Sequence, residues 1–149
     1  MHDIDAPERP CYHCCMKGEA VVVIDVQNGI LDISDVARPV ETRTALDVVV
    51  NKIKRLILWA RNRGTPVLFV QHDGETGHRL ERGTHAWQIR HEIAPGRDEL
   101  KSHKSACESF FETSLSDELK LRGATNLIVA GCMTHYCIDT SVRRAVSLG

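Results

Sequence analysis

The sequence predicts an α/β domain built around a mostly parallel sheet. Continuous apolar runs at 20–24, 66–70 and 126–130 have the composition of strands that are buried on both faces. A segment with helical periodicity, 41–63, separates the first two runs. Strands that alternate with helices in this way usually pair in parallel. With 149 residues, the chain is about one domain long.

Composition excludes several classes of protein. Hydrophobic residues make up 42% and charged residues 26%, the balance of a globular protein rather than a disordered one. Lys+Arg 19 against Asp+Glu 20 gives a net charge of -1, and no basic block is present, so we expect no nucleic-acid partner. No apolar run approaches the ~18–20 residues of a membrane span, so we expect no membrane partner. Six cysteines without a secretory signal indicate free thiols and a cytoplasmic location.

Residues 1–18 are interpreted as an N-terminal tail, and residues 19–149 as the domain. The tail carries Cys11, Cys14 and Cys15, and the Cys-x-x-Cys spacing is that of half a zinc site. A second pair of ligands at matching spacing does not follow, so a tail without metal is the favoured interpretation.

The first half of the domain predicts a strand, a helix and a second strand. The first strand, Ala20–Ile24, ends at Asp25. A helix over 41–63 ends before Gly64, because glycine commonly follows the last helical turn. Its apolar stripe consists of Leu46, Val49, Val50, Ile53, Leu56, Ile57 and Ala60.

The second strand, Pro66–Val70, leads into a long loop. Residues 73–99 are rich in glycine and charge, and we expect a short turn around Trp87. Loops of this length in a compact domain are usually functional. A short strand is predicted just before Lys104.

The last third of the chain predicts a helix, a strand and a final helix. Ser114–Asp117 resembles a capping box that opens a helix, and Arg122 and Gly123 close it. The strand Asn126–Ala130 is followed by a helix over 135–148. We therefore expect an open, three-layer, Rossmann-like sheet with helices on both faces.

Three reactive side chains follow predicted strands. Asp25 follows the first strand, Lys104 the weak one, and Cys137 stands in the first turn after the last. Each also has a simpler interpretation: a loop cap, a solvated charge and a small buried hydrophobe, respectively. Ligand sites in such sheets lie at the carboxyl ends of the strands, so the shared placement favours a functional site.

Around these residues the sequence resembles the isochorismatase-like cysteine hydrolases, or cysteine amidohydrolases. The first block is V-I-D-V-Q-N-G at 23–29, and the second is Lys104 followed by an F-x-x-T-x-L at 110–115. The third, G-C-M-T-H-Y-C-I-D-T-S at 131–141, is the most specific. The blocks occur in family order across roughly 19–149.

The resemblance implies amide hydrolysis through a thioester, with no cofactor. Cys137 would be the nucleophile, Asp25 its base, and Lys104 the cation that holds both anions. We expect the helix start to lower the pKa of the Cys137 thiol. Backbone N–H groups of Met133 and Cys137 would form the oxyanion hole, and the Cys132–Met133 peptide would be cis.

The resemblance also favours a branch and argues against a metal. Isochorismatases that cleave a vinyl ether lack the nucleophilic cysteine. Because Cys137 is present here, amide hydrolysis is favoured and ether hydrolysis is the alternative activity. Nicotinamidases carry Asp-x-His where this chain has Q-H-D-G at 71–74, so we expect no metal, although His78, His85 and His91 lie nearby. The stretch 77–87 resembles the branch that includes streptothricin hydrolase.

A small-molecule amide is the expected partner, and a homo-oligomer the expected assembly. The candidate pocket residues are Gln27, Trp87, Phe110 and His135. Trp87 could equally pack in the core or in a subunit contact. A neighbouring subunit would help to shape the acyl pocket.

Two other classes of protein compete with the hydrolase. A non-catalytic binding protein on the same fold is one, although the complete set of Asp25, Lys104 and Cys137 argues against it. A redox protein that uses Cys132 and Cys137 is the other, but their separation of five residues is not the Cys-x-x-Cys spacing.

The family resemblance further predicts a C-terminal strand–helix unit that this chain lacks. That strand would pair beside 126–130, so its absence would expose Leu127, Ile128 and Val129 on an edge prone to association. A short variant whose edge is covered by the tail or by a partner subunit is the alternative.

Overall fold

Strand β1, Glu19–Ile24, is the centre of the fold. The computed structural model describes residues 18–31 and 38–149. The other elements are α1 (Asn28–Leu31), α2 (Val40–Arg63), β2 (Val67–His72), a 3-10 turn (His91–Ile93), β3 (Leu100–Lys104), α3 (Leu115–Leu121), β4 (Asn126–Gly131), a π-helical turn (Thr134–Ile138) and α4 (Asp139–Leu148). The proposed metal half-site in the tail lies outside the described residues.

The four strands form one parallel sheet in the order β3-β2-β1-β4. On one side β1 pairs with β2, and Val21 lies opposite Val67. On the other side it pairs with β4, and Ile24 lies opposite Gly131. The predicted parallel α/β sheet is confirmed. The apolar run at 20–24 is continuous because β1 is central and covered on both faces.

Helices cover both faces of the sheet. On one face α2 packs against β1 and β2 through Val50, Ile53, Ile57 and Ala60. The helix ends at Arg63, and the φ of 68° at the following Gly64 is left-handed, as the glycine predicts. On the other face Leu115 and Leu119 of α3 pack with residues of β1 and β2. The result is the expected three-layer arrangement.

Local details differ from the sequence predictions. β2 extends to His72, two residues beyond the predicted end, and α1 was not predicted. Ser114 precedes α3 but its side chain makes no capping hydrogen bond. The Ser114 backbone is already helical, with φ −80° and ψ −2°, which is not the extended conformation of a capping residue. The Leu115 N–H donates to Thr113 Oγ1 over 3.3 Å. A π-helical turn separates β4 from α4, where one continuous helix was predicted.

Strand β4 is an edge of the sheet within residues 18–31 and 38–149. A cleft of about 520 Å³ lies between β4, α3 and α4. Its walls are largely apolar and include Leu119, Leu127, Val129, Val142 and Val146. Within residues 18–31 and 38–149, no helix is long and apolar enough to cross a membrane.

Candidate active site

The three predicted catalytic residues meet at the carboxyl edge of the sheet. Asp25 follows β1, Lys104 is the last residue of β3, and Cys137 lies in the π-helical turn after β4. Lys104 Nζ is 2.7 Å from Asp25 Oδ2 and 3.4 Å from Cys137 Sγ. The Lys104 side chain is 0% exposed and that of Asp25 is 1% exposed. The ammonium group therefore lies between the carboxylate and the sulfur, out of water.

The backbone at Asp25 turns away from the strand. Its φ is 53°, a left-handed conformation that aspartate tolerates better than most residues. The Asp25 N–H still donates to Val70 O over 2.9 Å, so the residue remains attached to the sheet. Among the described residues, neither carboxylate oxygen accepts a hydrogen bond of regular geometry; the Lys104 contact to Oδ2 is an ion pair. Lone pairs of the carboxylate therefore remain available to a proton donor.

Backbone carbonyls hold the Lys104 ammonium in place. Nζ donates to Ala106 O over 3.0 Å and to Cys107 O over 3.2 Å. The segment after β3 thus folds back over Lys104, the last residue of that strand. These neutral acceptors fix the direction of the side chain without competing for its charge.

Burial and charge shift the acid–base properties of the site. Burial raises the pKa of Asp25, although the positive charge of Lys104 opposes the shift. Burial, reinforced by the negative charge of Asp25, raises the pKa of Cys137, and Lys104 again opposes it. The pKa of the Cys137 thiol therefore moves upward, opposite to the expected effect of a helix start. Removal from water and repulsion by Asp25 both disfavour the thiolate.

The turn that carries Cys137 begins with a closely packed backbone. Gly131 has a φ of 141°, and a Cβ built there would lie 2.0 Å from Ile24 O. The next residue, Cys132, donates its N–H to the same carbonyl over 2.9 Å. The Cys132–Met133 peptide is cis, as the resemblance predicts. The backbone N–H of Met133 has no acceptor among the described residues.

The candidate pocket residues occupy different environments. Trp87 Nε1 donates to Asp73 Oδ1 over 2.7 Å, and its ring stacks on His103. Phe110 packs against the apolar cluster that contains Leu115 and Leu119 of α3, and it lines the cleft beside β4. His135 is exposed and packs against Tyr136, with ring centroids 4.4 Å apart.

Gln27 is fully buried, and its amide joins three backbone segments. Its Nε2 donates to His72 O over 2.9 Å and to Trp87 O over 2.7 Å. Its Oε1 accepts from His72 N–H over 3.0 Å. Since these bonds use both ends of the amide, Gln27 acts here as a support for the long loop.

Two residues near the site were not singled out from the sequence. Cys107 Sγ lies 3.8 Å from Cys137 Sγ, and Cys107 is exposed. His72 ends β2; burial and the positive charge of Lys104 lower its pKa. The only sequence signal for Cys107 is its position three residues after Lys104.

No group of three His, Cys, Asp or Glu side chains within residues 18–31 and 38–149 could hold a metal. Asp73 is already engaged by Trp87, His103 and Arg82. His78 accepts from Leu80 N–H, His85 contacts Asn28, and His91 contacts Glu92. The three histidines that could have formed a metal site therefore have other neighbours.

The fold is an open parallel α/β sheet, and Asp25, Lys104 and Cys137 lie at its carboxyl edge. The family model described as the isochorismatase domain matches residues 19–149. The chain belongs to the isochorismatase family, whose members are hydrolases.

Several known proteins are similar to this chain. The isochorismatase family protein YddQ of Bacillus subtilis is 33% identical over 132 residues, which cover 87% of this chain and 71% of YddQ. Streptothricin hydrolase of Streptomyces noursei is 29% identical over 131 residues, which cover 88% of this chain and 45% of that protein. The crystal structure of an isochorismatase from Pseudomonas putida matches with a TM-score of 0.79 at 30% identity, covering 89% of this chain and 66% of that one. Ureidoacrylate amidohydrolases are among the further matches.

Proposed function

We propose that this chain carries the active site of a cysteine amidohydrolase that cleaves the C–N bond of a small-molecule amide. One observation carries the proposal: the buried Lys104 Nζ lies 2.7 Å from Asp25 Oδ2 and 3.4 Å from Cys137 Sγ. A base, a cation and a nucleophilic sulfur in contact are the groups that thioester-forming hydrolysis requires. The similarity to streptothricin hydrolase and to amidohydrolases supports the same reaction class.

In the proposed acylation step, proton transfer accompanies the attack of sulfur. The resting site holds a neutral thiol, a carboxylate and an ammonium, because burial and the Asp25 charge raise the pKa of Cys137. As Sγ bonds to the amide carbon, the thiol proton passes to Asp25, whose own pKa is raised by burial and which is therefore a better base. Lys104 compensates the negative charge throughout this transfer.

The proposed tetrahedral intermediate collapses by loss of the amine. The N–H groups of Met133 and Cys137 would donate to its oxyanion. Protonated Asp25 returns its proton to the leaving nitrogen, which departs as ammonia or an amine. Water then attacks the thioester, and Asp25 takes the water proton that finally restores the Cys137 thiol. The net reaction is one amide plus one water giving one acid plus one amine.

In this proposal, the long loop after β2 shapes the acyl pocket. Gln27 and Asp73 attach that loop to the sheet through hydrogen bonds to Trp87. Trp87, Phe110 and His135 remain our candidates for pocket residues, and a second subunit would complete the pocket. The chain spans 45% of streptothricin hydrolase, so its substrate does not follow from that relative.

A screen of small primary amides tests the proposal, with ammonia release as the readout. We expect turnover of at least one amide by the wild-type chain and none by Cys137→Ala. A trapped acyl-enzyme at Cys137, measured by intact mass after rapid acid quench, would identify the thioester. Ammonia release that persists in Cys137→Ala would refute the assignment of the nucleophile.

A further inference from the structure

A second sulfur lies beside the proposed nucleophile. Cys107 Sγ and Cys137 Sγ are 3.8 Å apart, about a van der Waals contact. Both are free thiols; Cys107 is exposed, and Cys137 is half-buried. The hydrolytic reaction proposed above makes no use of the Cys107 side chain.

Backbone and side-chain contacts keep Cys107 at this position. The carbonyls of Ala106 and Cys107 accept hydrogen bonds from Lys104 Nζ, which turns this segment toward the site. On the other side, Thr140 Oγ1 lies 3.7 Å from Cys107 Sγ and 2.9 Å from Tyr136 O. The sulfur is therefore held over the turn that carries Cys137.

The distance between the sulfurs is compatible with a covalent bond after a small movement. A disulfide bond is about 2.05 Å long, so the two sulfurs must approach by about 1.8 Å. Rotation of the exposed Cys107 side chain about its Cα–Cβ bond can supply such a movement. Cys132, the other candidate partner for Cys137, is buried in the apolar cluster on the α2 face of the sheet, whereas Cys137 packs against the cluster on the α3 face.

We propose that Cys107 and Cys137 form a dithiol that low-molecular-weight disulfides convert reversibly into an intramolecular disulfide. Cys107, the sulfur that solvent reaches, attacks the small disulfide, forms a mixed disulfide and releases one thiol. Cys137 then attacks Cys107 Sγ and passes its proton to Asp25, and the second small thiol leaves as a thiolate that takes up this proton. Two protein thiols are oxidised and one small disulfide is reduced to two thiols.

The same bond would regulate the proposed hydrolase. Once Cys137 Sγ is bonded to Cys107 Sγ, it can no longer form the thiolate that would attack an amide carbon. This consequence rests on the proposed function, whereas formation of the disulfide does not. Reduction by dithiothreitol restores both thiols.

Peptide mapping after oxidation tests the proposal. The full chain with Cys11, Cys14 and Cys15 changed to serine retains three thiols, and it is incubated with oxidised glutathione. Trypsin cleaves after Lys104, Lys120, Arg122 and Arg143, so Cys107 falls in peptide 105–120 and Cys137 in peptide 123–143. We expect these two peptides to be joined, with fragment ions that place the bond at Cys137 rather than Cys132, and the thiol count to fall from three to one.

Cys107→Ser in the same background is the matched control, and Cys107→Ala is a second variant. In both we expect no joined peptides, and a mixed disulfide with glutathione at most. Glutathione attached to Cys107 without joined peptides, or a Cys132–Cys137 bond, would overturn the proposal.

Ammonia release measured on the same samples separates the two proposals. We expect oxidised protein to lose at least ~90% of its own reduced rate and to regain it with dithiothreitol, because one sulfur cannot serve both bonds. Joined peptides in a chain that hydrolyses no amide would refute the proposed function alone. Amide turnover without joined peptides would refute the dithiol alone.

Discussion

Lys104 Nζ contacts Asp25 Oδ2 at 2.7 Å in a place that water does not reach. A buried ion pair of this kind contributes little net stability compared with apolar side chains, but loss of one partner leaves an uncompensated charge. Lys104 and Asp25 are therefore coupled in folding as well as in the proposed chemistry.

We expect Lys104→Met to lower the free energy of unfolding by about 3–5 kcal/mol, because it leaves the Asp25 carboxylate buried alone. Asp25→Asn, which keeps a residue type that tolerates the left-handed backbone, should also be destabilising, whereas the double variant should cost clearly less than the sum. Urea unfolding of the four proteins measures the coupling. Additive costs would show that the two charges act independently.

Removal of either charge should also slow amide hydrolysis. We expect Asp25→Asn and Lys104→Ala each to reduce turnover by ~10²-fold or more, since one removes the base and the other the compensating cation. The matched controls are Asp98→Asn and Lys101→Ala, which change exposed residues of the same charge. A rate close to wild type in Asp25→Asn or Lys104→Ala would remove that residue from the mechanism.

The pH dependence of alkylation at Cys137 should respond oppositely to the two charges. Burial and the negative charge of Asp25 raise the pKa of this thiol, while Lys104 lowers it. We therefore expect Asp25→Asn to shift the alkylation profile to lower pH, and Lys104→Met to shift it to higher pH. Iodoacetamide labelling, followed by mass spectrometry of peptide 123–143, provides the profile. Shifts in the same direction for both variants would contradict this electrostatic account.

Acid stability should depend on Glu92. Its hydrogen bonds from Arg90 lower its pKa from 4.5 to about 2. Because the pKa of the folded state is the lower one, the stabilisation is complete above pH 4.5 and is lost as the pH falls through about 2. Glu92→Gln should therefore lose less stability than wild type between neutral pH and pH about 2, as measured by urea midpoints. Glu75→Gln, an exposed change earlier in the same loop, is the control and should follow wild type.

Amide hydrolysis should not require a metal. Asp73, the first carboxylate after β2, is engaged by Trp87 and His103. We expect exhaustive dialysis against a chelator to leave the rate unchanged. Loss of activity that zinc restores would show that this part of the loop rearranges into a metal site.

The sequence predicted the fold well where apolar periodicity determines structure. Strand β1 and helix α2 were placed within one residue at each end, because a central strand and an amphipathic helix must bury long apolar runs. The capping box at Ser114 was not found, because the backbone of Ser114 is already helical, with φ −80° and ψ −2°, and a capping serine needs an extended backbone. The backbone conformation of the residue before a helix leaves no mark in the hydrophobic pattern.

The sequence predicted that Asp25, Lys104 and Cys137 lie at one edge of the sheet, but it could not predict how their surroundings shift their pKa values. The upward shift in the pKa of Cys137 depends on burial and on Asp25, which is 112 positions away in sequence. Cys107 was missed for a similar reason: its contact with Cys137 arises from the turn of the chain after β3. The expected oligomer and the association through the edge at β4 remain predictions, which sedimentation would test.

The close approach at Gly131 has a consequence for how the site keeps its dimensions. Only a hydrogen atom fits between this residue and the Ile24 carbonyl, since a Cβ would lie 2.0 Å from that oxygen. The glycine therefore acts as a spacer of minimum thickness between the strand that ends at the base and the strand that leads to the nucleophile. Any other amino acid at this position would push the two strands apart and move Cys137 relative to Asp25. The spacing of the reacting groups is thus encoded by the lack of a side chain at a residue that itself has no chemical role.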